Sequence, residues 1–153
     1  MGRWHTERNL QNADWKRMKE IYESVGWAKH TEEIIQRVFQ ASNIVALAFS
    51  EGRLVGFGRA LSDGVFNAAI YDVVVHRDDQ GRGIGKAIVE DLLAQLEAVS
   101  CVHLISTTGN EPFYMQTGFR KAKTALARYQ SAELATQYLE GGNNIEHSPR
   151  NGR

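Results

Sequence analysis

The residues best suited to chemistry form a short run at positions 80–86, with the sequence Gln-Gly-Arg-Gly-Ile-Gly-Lys. Glycines at alternate positions, Gly81, Gly83 and Gly85, let a ligand approach the backbone closely. An apolar stretch at 70–75 precedes the run and an amphipathic segment begins near Gly83, so a helix is expected to open here. The first N–H groups of that helix and its partial positive charge would converge on one spot. The run therefore predicts a phosphate or pyrophosphate site.

Other kinds of glycine-rich loop fit the run less well. The dinucleotide-binding fingerprint has the spacing Gly-x-Gly-x-x-Gly, which differs from the alternate spacing found here. A Walker-type loop needs Ser or Thr after its lysine, whereas Ala87 follows Lys86. A plain helix cap that binds no ligand stays open as the structural alternative.

Hydrophobic periodicity predicts the elements that position this run. The predicted helices cover residues 12–25, 31–39 (capped by Thr31), 84–99, 111–117 and 131–139. The predicted strands cover residues 43–49, 54–61, 66–75, 101–105 and a segment within 119–130. Turns at 50–53 and 62–64 join the first three strands, and the strand at 101–105 should return parallel to the third.

Composition sets the broad class of the chain. Its 153 residues predict a single domain over 1–153, with a flexible tail at about 141–153. Lys plus Arg and Asp plus Glu both number 18, so no net charge favours nucleic acid or an anionic membrane. The N-terminus has no apolar signal core and no apolar run approaches a membrane span, so we expect a cytoplasmic protein.

The single cysteine, Cys101, excludes an intrachain disulfide and a Cys-rich zinc site. Because 101–105 has the pattern of a buried strand, Cys101 and His103 are predicted to be core residues. No two of the five histidines have the helical spacing of metal ligands, so no metal site is expected.

Two motifs together resemble the GNAT superfamily of acetyl-CoA-dependent N-acetyltransferases. Residues 80–85 match the family's Gln/Arg-x-x-Gly-x-Gly/Ala motif in full, and residues 113–119 match its aromatic pair followed by Gly-Phe. The order of the elements agrees as well, and the likeness covers about residues 4–130. The resemblance implies an α/β (mixed α+β) fold with a central, mostly antiparallel mixed sheet, splayed at the cofactor strand, and helices on both faces.

The resemblance also implies how acetyl-CoA, the expected co-substrate, would be held. Backbone groups of the strand at Val73, Val74 and Val75 would bind the pantetheine arm, beside a bulge that opens a slot between strands. The pyrophosphate would lie on the glycine run. That run contributes Gln80, Gly81, Arg82, Gly83, Ile84, Gly85 and Lys86.

By the same resemblance Tyr114 would protonate the departing thiolate, because a phenol with a pKa near 10 suits so basic a leaving group. The proton acceptor is less determined, and the candidates are Asp72, His76, Glu111 and His30. We favour Asp72, acting through water, because its apolar neighbours in sequence could raise its pKa. The predicted acceptor-binding residues are Tyr22, Trp27, His30 and Asp63, which would suit an amine with an apolar body.

One departure from the family pattern leaves an alternative open. Many members carry an Asn seven residues before the catalytic Tyr, where Thr107 stands in this chain; either Asn110 makes the cofactor contact instead or that contact is missing. The sequence predicts an N-acetyltransferase that acts on a small primary amine in a ternary complex. A non-catalytic acyl-CoA-binding regulatory module is the alternative, as is acetylation of a protein or aminoacyl-tRNA amine. Many relatives are homodimers, which makes a homodimer an expectation here too.

Overall fold

The structure is a computed structural model that describes residues 3–141. The predicted tail lies outside these residues except for Gly141. The strands are β1 (Trp4–Glu7), β2 (Ile44–Ser50), β3 (Arg53–Ser62), β4 (Asn67–Val75) and β5 (Cys101–His103). The helices are α1 (Trp15–Ser24), α2 (Glu32–Gln40), α3 (Ile84–Gln95), α4 (Glu111–Met115) and α5 (Ala132–Tyr138).

One five-stranded sheet has the order β1-β2-β3-β4-β5. The first four strands form an antiparallel meander, and β5 pairs parallel with β4. The turn between β2 and β3 is tight because Glu51 and Gly52 both adopt positive φ, at 52° and 79°. This mixed, mostly antiparallel sheet confirms the predicted fold class.

Helices cover both faces of the sheet. Because both faces of β2 are therefore buried, almost all of its residues are apolar. Val45, Leu47 and Phe49 pack towards α1 and α2, whereas Ala46 and Ala48 pack towards α3. Small residues on the α3 face allow that helix to approach the sheet closely. A Cβ atom added at Gly58 would lie 2.9 Å from Ile88 Cγ2.

Several sequence predictions were wrong at the two edges of the sheet. Strand β1 was not predicted, because its residues contain little apolar alternation. Within the described residues, no strand forms at 119–130. A further strand would have to pair with the edge of β5, and β5 is only three residues long. Cys101 and His103 are exposed rather than buried, because β5 meets the sheet on one side only.

Candidate active site

The glycine run forms a loop that leads directly into α3. Gly81 and Gly83 adopt positive φ, at 81° and 85°, and Gly83 is the residue before the first turn. The first backbone bond of α3 runs from the Ala87 N–H to the Gly83 carbonyl oxygen, over 3.1 Å. The preceding N–H groups therefore lack carbonyl partners within the helix.

The N-terminus of α3 is left without a side-chain cap. In α1, α2 and α5 a side-chain oxygen of the capping residue accepts a backbone N–H, and these residues are Asp14, Thr31 and Ser131. The capping residue of α3 is a glycine, which has no such oxygen. The free N–H groups and the positive end of the α3 dipole thus form a site suited to an anion.

Side chains of the loop tie it to the sheet. Gln80 Nε2 donates to the Val75 carbonyl oxygen over 3.0 Å. Arg82 pairs with Asp79 over 3.0 Å and donates to Ser50 Oγ over 3.2 Å. The side chain of Lys86 is exposed. Lys86 is therefore better placed than Arg82 to add charge to an anion at this loop.

Strand β4 has an open edge next to the loop. Its pairing with β5 covers Asn67–Ala69 alone, so the two strands separate beyond that point. The N–H of His76 donates to the Val55 carbonyl oxygen on β3, over 2.8 Å. Since backbone groups alternate along a strand, those of Val75 and Val73 are directed to the opposite, open edge. That edge can accept an extended, amide-containing chain.

A β-bulge in β4 determines the position of Asp72. The register between β3 and β4 shifts so that Gly58 faces both Asp72 and Val73, and Asp72 has a φ of 56°. Asp72 Oδ2 accepts a hydrogen bond from Arg59 Nε over 2.8 Å. The expected apolar surroundings of Asp72 were therefore wrong, because the bulge turns its side chain towards Arg59.

Tyr114 lies half-buried on α4 between two aromatic rings. Phe113 and Phe119 meet its ring edge to face, at centroid distances of 5.0 and 6.0 Å. Phe113 also lies against α3, 3.4 Å from the position that a Cβ of Gly85 would occupy. Burial, and secondly the charge of Asp72, raises the pKa of Tyr114. The phenol thus keeps its proton at neutral pH and lies within electrostatic reach of Asp72.

Three other candidate residues, Asn110, Glu111 and His76, have local partners. Asn110 precedes α4, and its side-chain amide donates to Thr107 Oγ1. Glu111 Oε1 accepts the Gly109 N–H over 2.8 Å, and His76 Nδ1 accepts the Asp78 N–H over 3.1 Å.

Three predicted acceptor-binding residues form an aromatic stack. The rings of Tyr22 and His30 are 4.2 Å apart and nearly parallel, and Trp27 packs against both at 5.7 Å. Tyr22 is fully buried, and its hydroxyl makes no hydrogen bond of ordinary geometry. Burial, followed by the charge of Asp72, raises the pKa of Tyr22. Tyr22 therefore supports the site from the core.

Asp63 supports its own turn. Its Oδ1 accepts the N–H groups of Val65, Phe66 and Asn67 at 2.8 to 3.1 Å. These hydrogen bonds, that of Val65 first, lower the pKa of the Asp63 carboxyl group. Asp63 is not among the residues that line the cavity beside Trp27 and His30.

A cavity of about 670 Å³ opens where β4 and β5 separate. Two of the predicted acceptor-binding residues, Trp27 and His30, line this cavity. Several other lining residues were not predicted from the sequence. Its wall consists of residues 26–30, Tyr71, residues 105–107, residues 127–129 and Tyr138. Among the lining residues that were missed, Tyr71 had a sequence signal, because it directly precedes Asp72. A second cavity, of about 570 Å³, lies between β1 and α1, and no predicted site residue lines it.

Comparison with known proteins decides the family. The sequence pattern of the Acetyltransferase (GNAT) family matches residues 5–119, which include the glycine loop and Tyr114. The chain belongs to the GNAT acetyltransferase family. It is accordingly an acyltransferase, of a family that uses acetyl-CoA as co-substrate.

Individual relatives of this GNAT acetyltransferase agree with that assignment. The uncharacterized N-acetyltransferase ycf52 of Porphyra purpurea is 36% identical over 119 residues, 74% of this chain and 68% of the relative. Serotonin N-acetyltransferase 2, chloroplastic, of Oryza sativa is 37% identical over 125 residues, 78% of this chain and 62% of the relative. The chain therefore spans about two thirds of the length of these curated relatives.

Solved structures of GNAT proteins share the fold. An acetyltransferase from Xanthomonas campestris superposes with a TM-score of 0.73 at 26% identity, covering 84% of this chain and 94% of the other. One from Deinococcus radiodurans has a TM-score of 0.72 at 25% identity, covering 82% and 87%.

The geometry of this acetyltransferase fits acetyl-CoA. The uncapped start of α3 would hold the pyrophosphate, and the open edge at Val73 and Val75 would hold the pantetheine arm. Among residues 3–141, no cluster of His, Cys, Asp and Glu could hold a metal ion. In the same part of the chain no helix has the length and apolarity needed to cross a membrane. The rice relative is named as chloroplastic, so a cytoplasmic location stays a prediction.

Proposed function

We propose that this GNAT acetyltransferase transfers the acetyl group of acetyl-CoA to a small primary amine, which attacks directly in a ternary complex. One observation carries the proposal. Beyond Ala69 the strands β4 and β5 separate, and next to this slot Asp72 lies within electrostatic reach of Tyr114, whose pKa is raised first by burial and secondly by the charge of Asp72. A base and an acid for acetyl transfer would lie at one end of the site for the pantetheine arm.

Acetyl-CoA would supply the thioester and its departing thiolate. Backbone N–H groups near Val73 would polarise the carbonyl group under attack, in the manner of an oxyanion hole. Tyr114, which keeps its proton at neutral pH, would donate that proton to the sulfur. The aromatic rings Phe113 and Phe119 would fix the direction of the phenol.

Asp72 would take the proton of the incoming ammonium group through a water molecule. Its ion pair with Arg59 fixes the carboxylate, and Arg59 is held in turn by Ser42 Oγ over 3.2 Å. The cavity beside Tyr71 would hold the body of the amine. Its volume of about 670 Å³ lies within the range of about 300–1,000 Å³ that is typical of small-molecule sites.

Two measurements test the proposal: coenzyme A binding by calorimetry and thiol release from acetyl-CoA with a panel of amines. In Tyr114→Phe we expect turnover to fall by about ten-fold or more, with the affinity for coenzyme A nearly unchanged. Unchanged turnover would remove Tyr114 from the mechanism.

A non-catalytic acyl-CoA-binding module is favoured by one observation, the engagement of the Asn110 side chain with Thr107. That module would bind coenzyme A but show no amine-dependent thiol release with small amines or peptide N-termini. Release with peptides alone would assign the acceptor to a protein.

A further inference from the structure

The cavity beside Tyr71 has an aromatic interior formed by two separate parts of the chain. Trp27 and His30 come from the connection between α1 and α2, with ring centroids 5.7 Å apart. Tyr129 and Tyr138 come from the C-terminal segment, and their rings stack at 5.5 Å. Rings on two sides suit a flat, apolar body.

The charged residues of this cavity carry one sign only. Lys29 and Arg128 line it, and within residues 3–141 no Asp or Glu does. Both side chains are exposed, and neither makes an ion pair in the described part of the chain. The nearest carboxylate along β4, Asp72, is neutralised by Arg59. Two cations thus remain available to a ligand.

The surroundings add to this positive potential. The segment 119–130 contains Arg120, Lys121, Lys123 and Arg128 and no acidic residue, in a chain whose formal net charge is zero. An excess of cations around a concave site favours anionic ligands. A simple amine gains nothing from this arrangement, because its ammonium group is repelled by Lys29 and Arg128.

We propose that the acceptor is a primary amine whose apolar body also carries an anionic group, a carboxylate or a phosphate, bound by Arg128 and Lys29. This inference rests on the proposed function and names the acceptor class for the same site. The aromatic walls would hold the body, Arg128 could bind the anion through two parallel N–H donors, and the amine would point to Asp72.

Matched amines that differ only in the anion provide the test. The probes are phenethylamine, 4-(2-aminoethyl)benzoate with a carboxylate on the far end of the ring, phenylalanine with a carboxylate beside the amine, and tyramine with its O-phosphate. We expect kcat/KM to be about ten-fold higher for at least one anionic amine than for its uncharged counterpart. Raising the salt concentration should reduce this preference.

Variants locate the effect. The ratio to follow is kcat/KM for the anionic amine divided by kcat/KM for its uncharged counterpart. Arg128→Gln should lower this ratio towards one, and Arg128→Glu should bring it below one. Arg120→Gln is the matched control, because Arg120 belongs to the same basic segment but does not line the cavity. Because Arg120 adds only to the surrounding potential, that control should lower the ratio much less than Arg128→Gln does.

The outcomes separate the two proposals. If no amine at all releases thiol while coenzyme A binds, the proposed function fails. If phenethylamine is acetylated as well as every anionic partner, or if Arg128→Gln leaves the preference intact, only the anionic acceptor is overturned. Calorimetric titration of each amine into the coenzyme A complex makes the same comparison without turnover, and equal Kd values would likewise overturn it.

Discussion

Arg59 and Asp72 form an ion pair between neighbouring strands, with 2.8 Å between Arg59 Nε and Asp72 Oδ2. Arg59 is registered with Tyr71, the residue before Asp72. In a regular strand, consecutive side chains would point to opposite faces. The bulge, with Asp72 at a φ of 56°, instead brings Asp72 to the face that carries Arg59. An irregularity in β4 thus places a carboxylate at the slot.

Replacing Asp72 with Asn should change both the rate and its pH dependence. We expect Asp72→Asn to lower kcat by about ten-fold or more, because it removes the proposed base. The alkaline limb of the kcat profile should move to lower pH, since the charge of Asp72 helps to raise the pKa of Tyr114. Asp91→Asn, which removes a carboxylate paired with Arg8, should leave that limb in place. If the alkaline limb does not move in Asp72→Asn, the charge of Asp72 does not act on the pKa of Tyr114.

Gly83→Ala should weaken the binding of coenzyme A. The left-handed φ of 85° at Gly83 is costly for alanine by about 1–2 kcal/mol, although no atom blocks a Cβ there. Gly52→Ala is the matched control, because Gly52 has a φ of 79°, equal open space and a place in the β2–β3 turn. Urea unfolding should show a similar loss of stability in both variants. Calorimetry should show weaker coenzyme A binding in Gly83→Ala alone; parallel effects would argue against an anion site at α3.

Gly58→Ala should destabilise the protein by about 1–3 kcal/mol. The new methyl group would lie 2.9 Å from Ile88 Cγ2 and 3.0 Å from Leu92 Cδ1, opposite the bulge that contains Asp72. Gly85→Ala is the comparison, since its nearest contact is Phe113 at 3.4 Å and its φ is not left-handed. Thermal or urea unfolding should show a much lower stability for Gly58→Ala than for Gly85→Ala. Equal stability of the two variants would show that α3 can move away from the sheet.

Tyr22→Phe should leave the free energy of unfolding at neutral pH within about 1 kcal/mol of that of the parent protein, because the buried hydroxyl lies near Asp72 but makes no hydrogen bond of ordinary geometry. At alkaline pH the free energy of unfolding should fall less in Tyr22→Phe than in the parent protein. Tyr22 ionises near pH 10 when unfolded but keeps its proton to higher pH when folded, so its contribution is complete below pH 10 and is lost as the pH rises above that value. Urea unfolding between pH 7 and 11 measures both effects. A large loss at pH 7 would mean that the hydroxyl is bonded.

Sequence reasoning failed where an element depends on distant partners. The 119–130 segment was predicted to contain a strand, yet strand formation needs a neighbouring edge, and β5 is only three residues long. Cys101 and His103 were predicted to be buried because their segment is apolar. The pairing of β5 on one side only leaves both exposed. No pattern within these segments carries information about what lies beside them.

By itself the sequence determined the features that arise from a few neighbouring residues: the glycine loop, the uncapped start of α3, the Thr31 cap and the position of Tyr114 on α4. Tight turns and helix termini depend on local backbone freedom and local hydrogen bonds, which short motifs encode. Only the tertiary structure decided that Asp72 pairs with Arg59 and that Arg128 joins Trp27 around one cavity. Those contacts join residues that are far apart along the chain, and packing and strand register bring them together.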